Sequence, residues 1–154
     1  MKKGYFLAAI VAIAIVGCGE SDDSGVTVET GALAKSQFIK QADKICEKEL
    51  AIFERKIAAF LKENEGEPPQ DSPKRAADAL EAIIAPSFER QIEEVSDLGA
   101  PEGDEEQISS ILISMQEALD RGRSDPLKFV NSKDPFASAR KQAKEYGFQT
   151  CGVA

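Results

Sequence analysis

From Lys35 onward, apolar side chains recur with a period near 3.6 residues, the spacing that gathers them on one face of a helix. Ile39, Cys46, Phe53 and Phe60 stand seven apart, and Leu50 and Ile57 fill the gaps. A first helix is therefore expected from Lys35 to about Asn64, with Ser36 as its N-cap, ended by Asn64-Glu65-Gly66-Glu67-Pro68-Pro69. Ser72 before Pro73 starts a second helix, whose face is traced by Ala77, Leu80, Ile84, Phe88, Ile92, Val95 and Leu98. Pro86 lacks an amide donor and its ring crowds a preceding carbonyl, so this helix should kink or break there. Asp104 and Gln107 have the spacing of a capping box ahead of the stripe Ile108, Ile111, Leu112, Met115 and Leu119. Asp125-Pro126 and Asp134-Pro135 each read as a cap followed by a first-turn proline, the latter opening a last helix to Tyr146. Gly147 occupies the left-handed position past that helix, with Phe148 placed to fold back. The expected fold is all-α: a small bundle of about four helices, without internal repeats.

The leading segment follows another pattern. Lys2 and Lys3 precede an uncharged apolar run, Tyr5 to Val16, which is shorter than the roughly 20 residues a spanning helix needs and has the length of a secretory leader core. It ends in Ile15-Val16-Gly17-Cys18, which resembles the lipobox of bacterial lipoproteins. The resemblance implies a diacylglyceryl group on the Cys18 thiol, further acylation of palmitate type, and cleavage just before Cys18. Residues 1–17 would then be a signal peptide, 18–34 a lipidated cysteine with an acidic tether (Glu20, Asp22, Asp23), and 35–154 the helical domain. The implied location is the extracytoplasmic face of the membrane, held by a lipid anchor.

Composition narrows the chemistry. The net charge is −8 over 154 residues, and an acidic chain argues against nucleic acid, which is bound through clustered Lys and Arg. Histidine is absent, which removes an imidazole base, triad partner or metal ligand. After export Cys46 and Cys151 remain, an even pair in an oxidising compartment, and a structural disulfide is expected between the first helix and the tail. A redox role lacks the Cys-x-x-Cys spacing.

Several residues invite a site and also have plainer readings. Asp43 shares the Cys46 side of the first helix: a partly buried acid pairing with Arg or Lys, a pocket acid, or an acid at the edge of the face reaching water. Gln91 lies near the apolar seam of the second helix, where it fixes register by a hydrogen bond or contributes to binding. Glu93-Glu94 reads as a solvated face, and Asp104-Glu105-Glu106 as a helix start favouring negative charge. No phosphate-cradling loop, calcium loop or nucleophile elbow is present, so neither an enzyme nor a metal nor another cofactor is expected.

Gln37-Phe38-Ile39 with Ala42-Asp43-Lys44-Ile45-Cys46, then Pro86, Gln91-Ile92, Leu98-Gly99-Ala100-Pro101-Glu102-Gly103-Asp104-Glu105, Asp134-Pro135-Phe136 and Tyr146-Gly147-Phe148 with Cys151, together resemble uncharacterised secreted proteins and lipoproteins of actinobacteria. That resemblance implies the helical architecture and carries no activity. The expected function is that of a non-catalytic envelope lipoprotein meeting another envelope protein. The alternative is a small-molecule-binding bundle with a cavity near Pro86, Phe53 and Phe60.

Overall fold

A computed structural model describes residues 26–64 and 68–151. The lipobox, Cys18 and the first part of the tether lie outside the described residues. The helices are α1 (Lys35–Glu63), α2 (Pro73–Ala79), α3 (Ala85–Asp97), α4 (Glu105–Ser124), α5 (Pro126–Asn131) and α6 (Ala137–Tyr146).

Cross-helix pairs give the topology. Lys48 of α1 meets Glu94 of α3 at 2.8 Å, while Glu49 meets Arg90, so sequence numbers rise on one helix as they fall on the other. Ser114 and Ser110 of α4 meet Gln142 of α6 at 2.8 Å, and Asp104 meets Tyr146 at 2.7 Å, which sets α4 against α6 in the same sense. With Arg123 of α4 bonded to Glu89 of α3, the long helices form an up-down-up-down bundle closed over Phe38, Leu80, Ile108 and Leu119.

The interruption expected at Pro86 takes the form of a π turn, Leu80–Ile84, between α2 and α3. Ala85 N–H donates to Leu80 O, five residues back, and the backbone stays in the right-handed helical region throughout. The wider turn precedes the residue that has no donor and no room for its ring, so α2 and α3 run on as one rod.

Three end devices differ from expectation. α6 opens at Ala137 with Phe136 at its N-cap, so Asp134-Pro135 precedes the helix instead of forming its cap and first turn, and the Asp134 carboxylate accepts the Phe136 N–H at 3.2 Å. Ser36 is not the cap of α1: the N-cap position is Ala34, with no side-chain bond. Asp104 does stand at the N-cap of α4 but caps nothing. Its carboxylate instead accepts the Tyr146 hydroxyl and lies 3.3 Å from Lys35 Nζ, which itself sits 3.8 Å above the Tyr146 ring. A tertiary donor outcompetes a local amide here. By contrast, Asp125 accepts Lys128 N–H at 3.1 Å as expected of a cap. Gly147 has φ 118°, and both its N–H and that of Phe148 return to Ala143 O, folding Phe148 onto Phe38 and Tyr146.

Residues 26–34, expected in the tether, are packed on the domain. Val28 is buried, and Thr30 pairs with Ala100: Gly31 N–H reaches Ala100 O at 2.6 Å, and Ala100 N–H reaches Glu29 O at 2.8 Å. Gly31 and Gly99 make this crossing possible, because a Cβ on Gly31 would lie 2.5 Å from Gly99 O, and Gly99 has φ +66°. The chain thus enters the domain beside the N-terminus of α1.

The α1 seam also differs. Its buried residues are Phe38, Ala42, Cys46 and Glu49, and none follows Glu49. Phe53, Ile57 and Phe60 are only half-buried. Glu49, 1% exposed, is bonded by Arg90 Nε and Nη2 at 3.0 and 2.7 Å, with Lys48 3.9 Å away.

Arg90→Met should destabilise the domain by about 3–5 kcal/mol in denaturant unfolding, since it strands a buried carboxylate. Glu49→Gln should cost less, because the Arg90 side chain is 34% exposed and can turn to water. Equal losses would contradict that asymmetry. Separately, the Tyr146 hydroxyl and then Lys35 hold Asp104 below the ordinary carboxylate range. A depressed carboxyl adds stability above its unfolded pKa, near 3.9, that disappears as pH falls through the lower folded value. Asp104→Asn should therefore flatten the acid limb of the stability–pH curve below about pH 4, and an unchanged limb would refute this role.

Candidate functional site

The structure gathers Asp43, Cys46, Gln91 and Cys151 round one spot. Cys46 and Cys151 form a disulfide with Cα atoms 5.3 Å apart, closing 105 residues. One turn before Cys46, the Asp43 carboxylate accepts three successive backbone amides of the tail: Gln149 at 3.0 and 3.1 Å, Thr150 at 2.8 Å and Cys151 at 3.1 Å. Its hydrogen-bond partners among the described residues are therefore main-chain donors, rather than Arg or Lys. This fixes the strand of chain that carries Cys151 in the position the disulfide needs.

Gln91 is 6% exposed and lines a largely enclosed cavity of about 30 Å³ with Cys46, Met115, Phe148 and Cys151 among its walls. The register bond expected of it is not made: Gln91 has no hydrogen bond among the described residues. Glu94 is occupied by Lys48, and Glu105 accepts the Thr30 hydroxyl at 2.5 Å, a bond that lowers its pKa. Glu94 and Glu105 are thus engaged in contacts between elements. Among the described residues no group of three or more His, Cys, Asp or Glu side chains is placed to hold a metal ion. No described helix is long and apolar enough to cross a membrane.

A second feature lies where α1 runs past the bundle. A groove of about 400 Å³ is bounded by Phe53, Ile57 and Leu61 of α1, with Pro68 and Pro69 at one end. Ile84 and Phe88 from the π turn and α3, and Phe129 and Phe136 from either side of Ser132, supply the remaining apolar wall. Three rings build that wall. Phe88 stacks on Phe136 with centroids 4.0 Å apart, and Phe129 meets Phe136 edge-on at 5.6 Å. Gly122 sets Phe129 in place, because a Cβ there would lie 2.8 Å from the ring, so α5 can approach α4 only over a glycine. Sequence reading reached Phe53 and the neighbourhood of Pro86, but Phe60 and Pro86 are not in the lining. It had no means to find Gly122 or Phe136, whose meaning comes from elements far apart in the chain.

Arg140 is the charged residue of the groove, and its Nη2 lies 3.1 Å from Asp134. A wider depression of about 620 Å³ between α4 and α5 is walled by charges of both signs, including Glu117, Asp120, Arg121 and Lys128. Its apolar surface is about as large as that of the groove, but it is mixed with about twice the polar surface. The groove combines concave shape with a mainly apolar lining.

No family model, curated protein or solved structure matches this chain.

Removing the disulfide, by Cys46→Ala with Cys151→Ala or by a phosphine reductant, should lower stability by about 2–5 kcal/mol. The helical far-ultraviolet spectrum should persist in the cold. Loss of under half a kilocalorie would mean that Asp43 alone fastens the tail.

Proposed function

We propose that this protein is a non-catalytic, lipid-anchored binding protein of the bacterial envelope that takes a small apolar molecule into the groove beside α1. The observation carrying the reading is the groove: about 400 Å³, within the roughly 300–1,000 Å³ of ligand sites, with aliphatic and aromatic walls and few polar groups. The stapled bundle supplies the rigid backing that keeps such a concavity from collapsing.

The anchor is proposed from Ile15-Val16-Gly17-Cys18, with the Cys18 thiol lipidated, the leader then cut just before it, and the domain outside the cytoplasmic membrane. Residues 18–25 can extend by no more than about 3.6 Å each. Ile57 lies 22 positions beyond Lys35, about 33 Å along α1 at 1.5 Å per residue. The groove then stands at the end of α1 remote from the anchor's entry, open to molecules arriving from the envelope side.

A second reading, a module for another envelope protein, is favoured by one observation. The half-buried side chains Phe53, Ile57 and Leu61 extend along α1 as a stripe that an amphipathic helix of a partner would cover.

Two measurements test these readings. Intact mass of protein recovered from native membranes should show a chain beginning at Cys18 and carrying acyl chains; a chain still beginning at Met1, or one free of lipid, contradicts the anchor. The uncharged fluorophore N-phenyl-1-naphthylamine should bind the domain saturably, and Ile57→Glu should weaken it at least about tenfold, roughly 1.4 kcal/mol, with the helical spectrum unchanged. Absence of saturable binding contradicts the small-molecule reading and leaves the partner-protein reading.

A further inference from the structure

The side of α1 turned away from the bundle carries a charge pattern that the folded chain leaves unused. Glu47, Ala51 and Arg55 stand four apart, Glu54, Ala58 and Lys62 repeat them seven residues on, and all six are exposed. Positions four apart differ by about 40° round a helix of 3.6 residues per turn. One edge of this face is therefore acidic (Glu47, Glu54) and the other basic (Arg55, Lys62), with alanine between. Lys44, eleven residues before Arg55 and also exposed, extends the basic edge. Elsewhere charges four apart pair along one helix, as Lys74 does with Asp78 and Arg121 with Glu117. Here Glu47 and Arg55, like Glu54 and Lys62, are eight apart, about 12 Å of rise at 1.5 Å per residue. None of these five charges has an ion pair or a side-chain hydrogen bond among the described residues.

A second copy of the face complements the first in one orientation. When two α1 helices face each other in parallel about a two-fold axis, the acidic edge of each meets the basic edge of the other. Glu54 then stands level with Arg55 of the second copy. Glu47 lies three residues above its Lys44, about 4.5 Å along the axis. Symmetry makes each pair twice. Antiparallel helices would instead set acid against acid and base against base, which repels.

The proposed anchor supplies the parallel orientation. Residues 18–25 join the domain at Val26, at the end of the bundle where α1 begins, so copies held by Cys18 in one membrane stand the same way up. Confinement to that surface raises the effective concentration of one copy beside another. It compensates for exposed ion pairs being individually weak and screened by salt.

We infer that the outward face of α1 is a self-association surface, on which two membrane-anchored copies pair with α1 parallel through Glu54–Arg55 and Glu47–Lys44 contacts between copies. The inference rests on the anchor reading and is independent of the groove, whose α1 residues Phe53, Ile57 and Leu61 are not among those of this face.

The test uses the full lipidated protein, its acyl chains verified by intact mass, in phosphatidylcholine vesicles at low salt. Ala51→Cys and Ala58→Cys are made separately and oxidised with copper phenanthroline. Each should link two copies through the same residue, at least about tenfold faster than Glu117→Cys on α4. Linkage at both positions requires parallel helices, since an antiparallel pair brings like residues together at only one height. Glu47→Lys with Glu54→Lys, or Lys44→Glu with Arg55→Glu, should each slow the Ala58→Cys link about tenfold. Mixing the two reversed proteins should restore it, because every contact between them is again acid with base. Linkage no faster than through Glu117→Cys, or a rate that the reversals leave unchanged, would overturn the inference while the measured lipid upholds the anchor. Protein recovered without lipid would overturn both.

Discussion

Two turns of α1 hold this molecule together. Between Asp43 and Glu49 the helix receives the tail amides on a carboxylate, bonds the tail covalently through Cys46, and buries a carboxylate against Arg90 of α3. Each is a long-range contact between elements that the chain otherwise separates widely, and together they fix α1 against both α3 and the end of α6. Past Glu49 no residue of α1 is fully buried. The helix continues because its local sequence favours helix and because one side rests on the π turn, and that overhang is the wall of the groove.

The elements were legible where a local signal sufficed. Proline at first-turn positions, Gly147 past the last helix and the 3.6-residue period placed the helices closely, and Pro86 announced a disturbance that the backbone meets with a π turn. The cysteine pair was legible from parity once the lipobox reading set Cys18 aside. What escaped depends on partners distant in sequence. Asp104 has the spacing of a cap yet serves Tyr146 and Lys35, Ser36 sits two residues past the cap position, and residues 26–34 read as part of the tether until Ala100 supplies a bonding edge. The heptad on α1 gave the right period and a face shifted by a residue, because Glu49 is buried only once Arg90 is opposite.

The candidate site was half visible. Asp43 and Gln91 were picked out by their position on apolar faces, and the two resolve in opposite ways. Asp43 accepts main-chain donors of the tail and belongs to the staple, whereas Gln91 lines a small cavity. Which main-chain amides meet a carboxylate is decided by a segment more than a hundred residues away, and the sequence carries no sign of it. The resulting division of labour is spatial. One end of the bundle receives the chain from the proposed anchor and carries the staple, and the other holds apolar surface uncovered.

Amide hydrogen exchange along α1 tests this division most directly. Amides from Phe38 to Leu50 should exchange with protection close to that of global unfolding, while those from Ile52 to Leu61 exchange much faster in the free protein. Saturating N-phenyl-1-naphthylamine should slow the second group and leave the first unchanged. Uniform protection along α1 in the free protein, or protection by the fluorophore spread evenly over the helix, would contradict a clamped half and an unfilled half.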